Sequence, residues 1–182
     1  MKIRHWSLGV LLTIWCCSPL PADDKPQLVF PVIAAYGGVV HRPEAVDQPR
    51  AGAKVVFDVT VDAPAEEVNK GLDRVARLLN LYGASGRKPS DISITVVLHG
   101  NATRSVLSNE SYEAHCGRES NPNLPLIREL LSHGVEVLVC GQALSYKGYL
   151  VEEVSKDVRI AESAMNVLIH RQMDGFAYLP IH

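Results

Sequence analysis

The sequence of 182 residues lacks most of the features that mark large functional classes. Aromatic residues make up only 6%, and 18 Lys and Arg against 20 Asp and Glu leave a net charge of −2. There is no basic stripe, phosphate-binding loop, dinucleotide-binding glycine pattern, Ser/His/Asp order, internal repeat or low-complexity tract. Nothing therefore points to nucleic acid as a partner or to a cofactor, and we predict neither.

Long hydrophobic runs are also missing, apart from a short one near the N-terminus. Residues 7–17 form an apolar run of about 11 residues, which follows Lys2 and Arg4 and precedes Ala22 and an acidic pair. This order is typical of a secretory signal peptide, and the run is shorter than the roughly 20 residues that span a bilayer. We predict a signal peptide at residues 1–22, a secreted or periplasmic protein, and no membrane span after cleavage. The alternative is an uncleaved N-terminal anchor.

Cysteine is scarce, and two of the four cysteines lie in the predicted signal peptide. Cleavage leaves Cys116 and Cys140. In an oxidising compartment they could form a structural disulfide, which would close a loop of about 25 residues and contribute roughly 3 kcal/mol in the chain-entropy model. The alternatives are that Cys116 is a redox partner of Cys140, or an idle thiol.

One domain is expected at residues 53–182, after a lead-in at residues 23–52 that is rich in proline and glycine. Strand-like and helical patterns alternate through this domain. The predicted strands are residues 54–61, 92–98, 135–139, 158–160 and 176–179. The predicted helices are one from an N-cap at Asp62 to Tyr82-Gly83, and residues 102–107, 110–115, 124–133, 143–146 and 161–173. The alternation predicts an α/β fold of three layers, with a mostly parallel five-stranded sheet and helices on both faces.

Reactive side chains follow two of these predicted strands. His99 follows the second strand and Cys140 follows the third. Right-handed crossovers bring the C-terminal ends of parallel strands to one edge, where open α/β sheets bind ligands. A thiol at a helix N-terminus is stabilised as the thiolate, which is the nucleophilic form. We therefore predict Cys140 and His99 as catalytic residues of one crevice, with ligand-binding positions at Gly100, Asn101, Gly141 and Gln142.

Each of these residues also has a structural interpretation. Cys140 could be a small buried hydrophobic residue, His99 could be a structural imidazole or a donor to an anion, and the two glycines could serve turns alone. His99, Cys140, His115 and Cys116 together would suit zinc or copper. Their spacing matches no metal-binding signature, and no metal is predicted.

Residues 134–143, with the sequence GVEVLVCGQA, resemble the signature of the DsrE/DsrF-like (YchN-like) sulfur-relay superfamily. Residues 97–100 (VLHG), 121–123 (NPN) and 175–178 (GFAY) resemble its exported branch, and the resemblance covers roughly residues 54–180. It implies a flavodoxin-like three-layer fold and a homo-oligomer such as a trimer or hexamer. It also implies that Cys140 carries a persulfide sulfur.

Two functions therefore remain open at this point. The first is an exported thiol protein that acts through Cys140 as a persulfide carrier or sulfurtransferase-like protein, with a sulfur donor or acceptor as its partner. The second is a non-catalytic oligomeric module that binds a small ligand or a metal, or a Cys116/Cys140 redox pair. The sequence leaves open whether the protein is an enzyme.

Overall fold

A single parallel sheet organises the computed structural model, which describes residues 26–182; the predicted signal peptide lies outside the described residues. The strands are β1 (Ala53–Val59), β2 (Ile92–Leu98), β3 (Glu136–Cys140), β4 (Arg159–Ala161) and β5 (Ala177–Ile181), in the order β4-β3-β2-β1-β5. The helices are α1 (Lys70–Ala84), α2 (Asn109–Cys116), α3 (Asn123–Ser132), α4 (Gly141–Lys147) and α5 (Ala164–Met173). Short 3₁₀ helices span Pro89–Asp91, Gly100–Val106 and Val151–Glu153. The predicted α/β fold with a five-stranded sheet is confirmed, and all its strand pairs are parallel.

Alternate side chains of the central strands enter two separate cores, because successive residues of a strand point to opposite faces. One face of the sheet packs against α1 and α3, which contribute Leu72, Val75 and Leu130 among other residues. The other face, called here the α5 face, packs against Ala164 and Val167 of α5. The sheet therefore forms the middle of three layers.

The start of α1 differs from the prediction. Asp62 is not its N-cap: α1 begins at Lys70, and the Asn69 side chain accepts a hydrogen bond of 2.8 Å from the amide of Gly71. Asp62 Oδ1 instead accepts from Arg104 Nε at 2.7 Å. Gly71 lies so close to β1 that an added Cβ would be 2.4 Å from a Val59 methyl carbon. The packing of the helix on the strand, together with the Asn69 cap, therefore sets the start of α1.

The part of the lead-in that the structure describes packs on α1. The buried Asn80 side chain accepts from the amides of Val32 and Ile33, both at 2.9 Å, and donates to three carbonyl oxygens of the same segment. Within residues 26–182 no helix is both long and apolar enough to cross a membrane.

Candidate functional site

The structure brings Cys140 and His99 to the same edge and the same face of the sheet. Leu98 of β2 pairs with Val139 of β3, so the next residues, His99 and Cys140, occupy neighbouring positions on strands about 4.8 Å apart. Cys140 belongs to the core under α5, and so does Val97, two residues before His99. Strand alternation therefore places both side chains on the α5 face, at the C-terminal edge.

Cys140 ends β3 and caps α4 with its sulfur. Its Sγ accepts a hydrogen bond of 3.4 Å from the amide of Ala143. The residue is only 5% exposed and lies among Val97, Leu138 and Val167. The thiol is therefore packed on its inner side by hydrocarbon and held at its outer end by a backbone donor.

His99 is paired with a buried carboxyl group. Its Nε2 lies 2.6 Å from Oδ1 of Asp58, and its side chain is 29% exposed. The second oxygen of Asp58 accepts from the hydroxyl of Tyr178 at 2.7 Å. A carboxylate can only accept a hydrogen bond, so a carboxylate at Asp58 pairs with the form of the His99 ring that carries hydrogen on Nε2, and Nδ1 is then the other ring nitrogen.

Tyr178 completes this arrangement from the edge strand β5. The hydrogen bond to the Asp58 carboxylate, with a smaller contribution from burial, raises the pKa of Tyr178 above its ordinary value. The phenol therefore stays protonated at neutral pH and donates to Asp58. Asp58, which is 5% exposed, thus has a donor on each oxygen.

The four predicted ligand-binding residues lie near this edge, and two of them, Asn101 and Gln142, make side-chain hydrogen bonds there. Asn101 Oδ1 accepts from Lys147 Nζ at 2.7 Å, which joins the segment after β2 to α4. A Cβ at Gly141 would lie 3.1 Å from the carbonyl oxygen of Ala161, so glycine permits close packing of α4 on β4. Gln142 Nε2 donates to the carbonyl oxygen of Glu162 at 3.4 Å. Gly100 has φ of +58°, a conformation that favours glycine.

Cys116 is not joined to Cys140. Both are free thiols, and Cys116 is half-buried at the end of α2. Cys140 contacts the core under α5. The structure therefore holds the two cysteines in separate environments.

The four candidate soft ligands do not converge. Within residues 26–182 no three His, Cys, Asp or Glu side chains are grouped to hold a metal ion. His115 Nε2 lies 2.8 Å from Oε1 of Glu153, while His99 is held by Asp58. These two histidines thus pair with different carboxylates.

Sequence reasoning missed Asp58 and Tyr178. The signal for Asp58 was present, because an acidic residue inside an otherwise apolar strand is rarely buried without a partner. Tyr178 had no comparable signal, since only the pairing of Val56 with Tyr178 places its ring on the face of Asp58.

Comparisons with known proteins find one matching family and a solved structure with a similar fold. The model of a family described as DsrE/DsrF-like matches residues 54–181. No protein with a curated description matches the chain. Among solved structures, the fold is similar to that of MTH1491 from Methanobacterium thermoautotrophicum, a protein of unknown function, with 19% identity, a TM-score of 0.51, and coverage of 71% of this chain and 99% of that chain. At this level of identity the likeness supports a shared fold alone.

Proposed function

The chain belongs to the DsrE/DsrF-like family, and from this premise we propose that it is a sulfur carrier that holds a persulfide on Cys140. Membership in this family suggests sulfur-relay chemistry in general. The proposal of a persulfide on a particular residue is supported by one arrangement. A single thiol ends a central strand, accepts a backbone N–H bond, and neighbours a histidine–carboxylate pair at the edge where such sheets bind ligands.

The proposed step is a transfer of one sulfur atom between thiols. The sulfur of Cys140 attacks the outer sulfur of a donor persulfide R–S–SH, so that a Cys140 S–S bond forms and the donor S–S bond breaks. The bonding pair leaves with the inner sulfur as a thiolate, and the proton lost by Cys140 ends on that leaving thiolate to give R–SH. The sulfane sulfur keeps its oxidation state overall, and no external oxidant or reductant is consumed.

The Ala143 amide supports this step because hydrogen bonds to an ionised sulfur are stronger than those to a neutral thiol. The neighbouring Gly141 allows α4 to begin directly at the sulfur-bearing residue. A persulfide formed here would extend from a thiol that is otherwise covered on its inner side.

Intact mass spectrometry tests the proposal. Purified protein is incubated with inorganic polysulfide, freed of excess donor, and weighed. We expect a gain of one sulfur, about 32 Da, that disappears on reduction, because the nucleophilic thiolate attacks the donor. The gain should be lost in Cys140→Ser and kept in Cys116→Ser, which is the matched control.

A second candidate function follows from the burial of Cys140. At 5% exposure its thiol could be a structural residue of a non-catalytic module that binds a small ligand. Failure of both thiols to gain sulfur, together with failure of Cys140 to react with iodoacetamide in the folded protein, would favour this module over the sulfur carrier.

We also propose that the protein is exported, on the basis of the N-terminal segment alone. Expression of the full chain in a bacterial host, followed by N-terminal sequencing of the protein from the periplasmic fraction, should find a new terminus after Ala22. An intact Met1 terminus in the soluble cytoplasmic fraction would contradict export.

A further inference from the structure

A chain of hydrogen bonds runs from Tyr178 through Asp58 to His99. We infer that Asp58 and His99 form an acid–base pair that protonates the leaving group of the sulfur donor, so that the site takes persulfides of thiols in preference to thiosulfate. The chemical half of this inference rests on the proposed function. Its structural half, the tautomer of the neutral His99 ring, can be measured without any sulfur transfer.

Asp58 is built as a positioning residue for His99. It is the penultimate residue of β1, near the C-terminal ends of the strands, and is 5% exposed. It uses both oxygens, one toward His99 at 2.6 Å and one toward Tyr178 at 2.7 Å. Two donors fix the plane of the carboxyl group, and the carboxyl group fixes the ring. His99 must then donate from Nε2, and Nδ1 makes no hydrogen bond within the described part of the chain.

The neighbouring strand positions put this free nitrogen within the same site as the sulfur. His99 and Cys140 follow the Leu98–Val139 pair and share the α5 face. No hydrogen bond joins their side chains within residues 26–182, so proton transfer between them passes through a bound donor or one water molecule. Nδ1 would accept the Cys140 proton by this path, and the Asp58 carboxylate would stabilise the resulting imidazolium.

The gain in rate from protonating the leaving group depends on how basic that group is. A persulfide of an ordinary thiol releases a basic thiolate, which leaves faster when His99 returns the proton to it. Thiosulfate would transfer its outer sulfur to Cys140 and release sulfite. Sulfite is a weaker base than a thiolate, so its departure depends less on protonation. A site with a built acid–base pair therefore favours the first class of donor.

Nitrogen-15 NMR of the histidine rings tests the structural half. In wild-type protein with a neutral His99 ring, we expect the tautomer with hydrogen on Nε2, and the same in Tyr178→Phe, which keeps the Asp58 bond. Asp58→Asn should shift the ring toward the Nδ1–H tautomer, because an amide nitrogen can donate to Nε2, as the same change does in Ser-His-Asp triads. An Nδ1–H tautomer in wild type, or no change in Asp58→Asn, would overturn the pair.

Loading rates test the chemical half. With glutathione persulfide as donor, Asp58→Asn should slow sulfur transfer to Cys140 about 100-fold, whereas with thiosulfate the loss should stay below about 10-fold. Equal losses with the two donors would overturn the assigned donor class. Glu153→Gln, which alters the same kind of pair at His115, is the matched control and should leave both rates unchanged.

The two experiments also distinguish failure of this inference from failure of the proposed function. If neither donor loads wild-type protein, the sulfur carrier and the donor preference both fail, while the NMR result alone decides the pair. If Asp58→Asn does not fold, its poorly dispersed spectrum will show it, and the tautomers of wild type and Tyr178→Phe then decide the pair.

Discussion

Two acidic side chains lie on the α5 face, Asp58 and Glu136, and their different partners give them different roles. Asp58 is bound by an imidazole and a phenol at the C-terminal edge. Glu136, at the opposite end of β3, accepts from Thr95 and from the guanidinium groups of Arg159 and Arg171. Burial opposes ionisation of Glu136, but these donors and charges outweigh it and lower its pKa below the ordinary value. One carboxyl group thus lies beside the candidate site, and the other anchors α5 through Arg171.

The effect of Glu136→Gln on stability should depend on pH, because the ionised side chain is what holds Arg171 of α5. A lowered pKa in the folded state means that the ionised side chain stabilises the fold above its unfolded pKa, and that this stabilisation is lost as pH falls through the folded value. We expect the substitution to cost about 1 to 2 kcal/mol of unfolding free energy at neutral pH. The difference in unfolding free energy between wild type and the variant should become progressively smaller below about pH 5.

Urea unfolding of both proteins across this pH range measures the difference. Glu129→Gln is the control, since Glu129 is exposed and makes no ion pair within the described residues, and it should give a small difference at every pH. A cost for Glu136→Gln that stays constant down to pH 3 would show that its ionisation is not the source.

At the site itself, the sequence predicted the residues at which strand patterns end, but not those inside the strands. Cys140 and His99 were visible because a strand pattern ends at each, and parallel strands end on one edge. The register between strands brings Asp58 and Tyr178 together. Val56 of β1 pairs with Tyr178 of β5, and Asp58 pairs with Val97 of β2. Register between strands distant in the chain depends on tertiary packing, which no local pattern contains.

Among the elements, the segment before β1 shows how one side chain can dock a stretch without regular structure. Asn80 of α1 is fully buried and serves as donor and acceptor for the backbone of residues 32–37. The same segment buries Ile33 in the main core. This part of the proline- and glycine-rich lead-in is therefore a component of the domain core.

Asn80→Ala should weaken this docking strongly. The substitution leaves the buried amide of Ile33 without its acceptor, and we expect a loss of about 2 to 3 kcal/mol in unfolding free energy. Urea titration followed by circular dichroism measures it. Arg74→Ala, an exposed change on the same helix, should stay within about 0.5 kcal/mol of wild type; equal effects of the two substitutions would contradict the role of Asn80.

Element types were readable from the sequence more fully than element ends. The strand at residues 92–98 matches β2 in both bounds, and each of the other predicted strands has its counterpart within a few residues. The first helix starts late because residues 62–68, although they carry Asp, Pro and Glu signals, connect β1 to a helix whose Gly71 must approach Val59. The last helix starts at Ala164 because Ser163 caps it and β4 takes Ala161.

Over the whole molecule, the side of α5 that points away from the sheet carries apolar side chains that the single chain leaves uncovered. Met165, Ile169 and Met173 recur at helical spacing on α5 and are 70%, 54% and 78% exposed. Tyr178, in the edge strand β5, is 40% exposed. The homo-oligomer implied by the family resemblance remains a proposal, and we propose this exposed apolar side of α5 as the contact between two copies.

Ile169→Lys tests that proposal. A charge in the middle of the stripe should lower the molecular mass in sedimentation equilibrium toward that of one chain, because burying an unpaired ammonium is costly. Val46→Lys is the control, since Val46 is fully exposed on the lead-in, away from α5. A wild-type protein that sediments as a single chain, or an Ile169→Lys variant that associates like wild type, would contradict association through α5.

The central claim is that Cys140, and not the other thiol, holds the transferred sulfur. Tryptic digestion separates the two cysteines, because residues 129–147 contain Cys140 and residues 105–118 contain Cys116. After loading with polysulfide and alkylation, tandem mass spectrometry should find an additional sulfur between Cys140 and the alkyl group, in the peptide of residues 129–147 alone. An additional sulfur found only on Cys116, or on neither cysteine, would contradict the account.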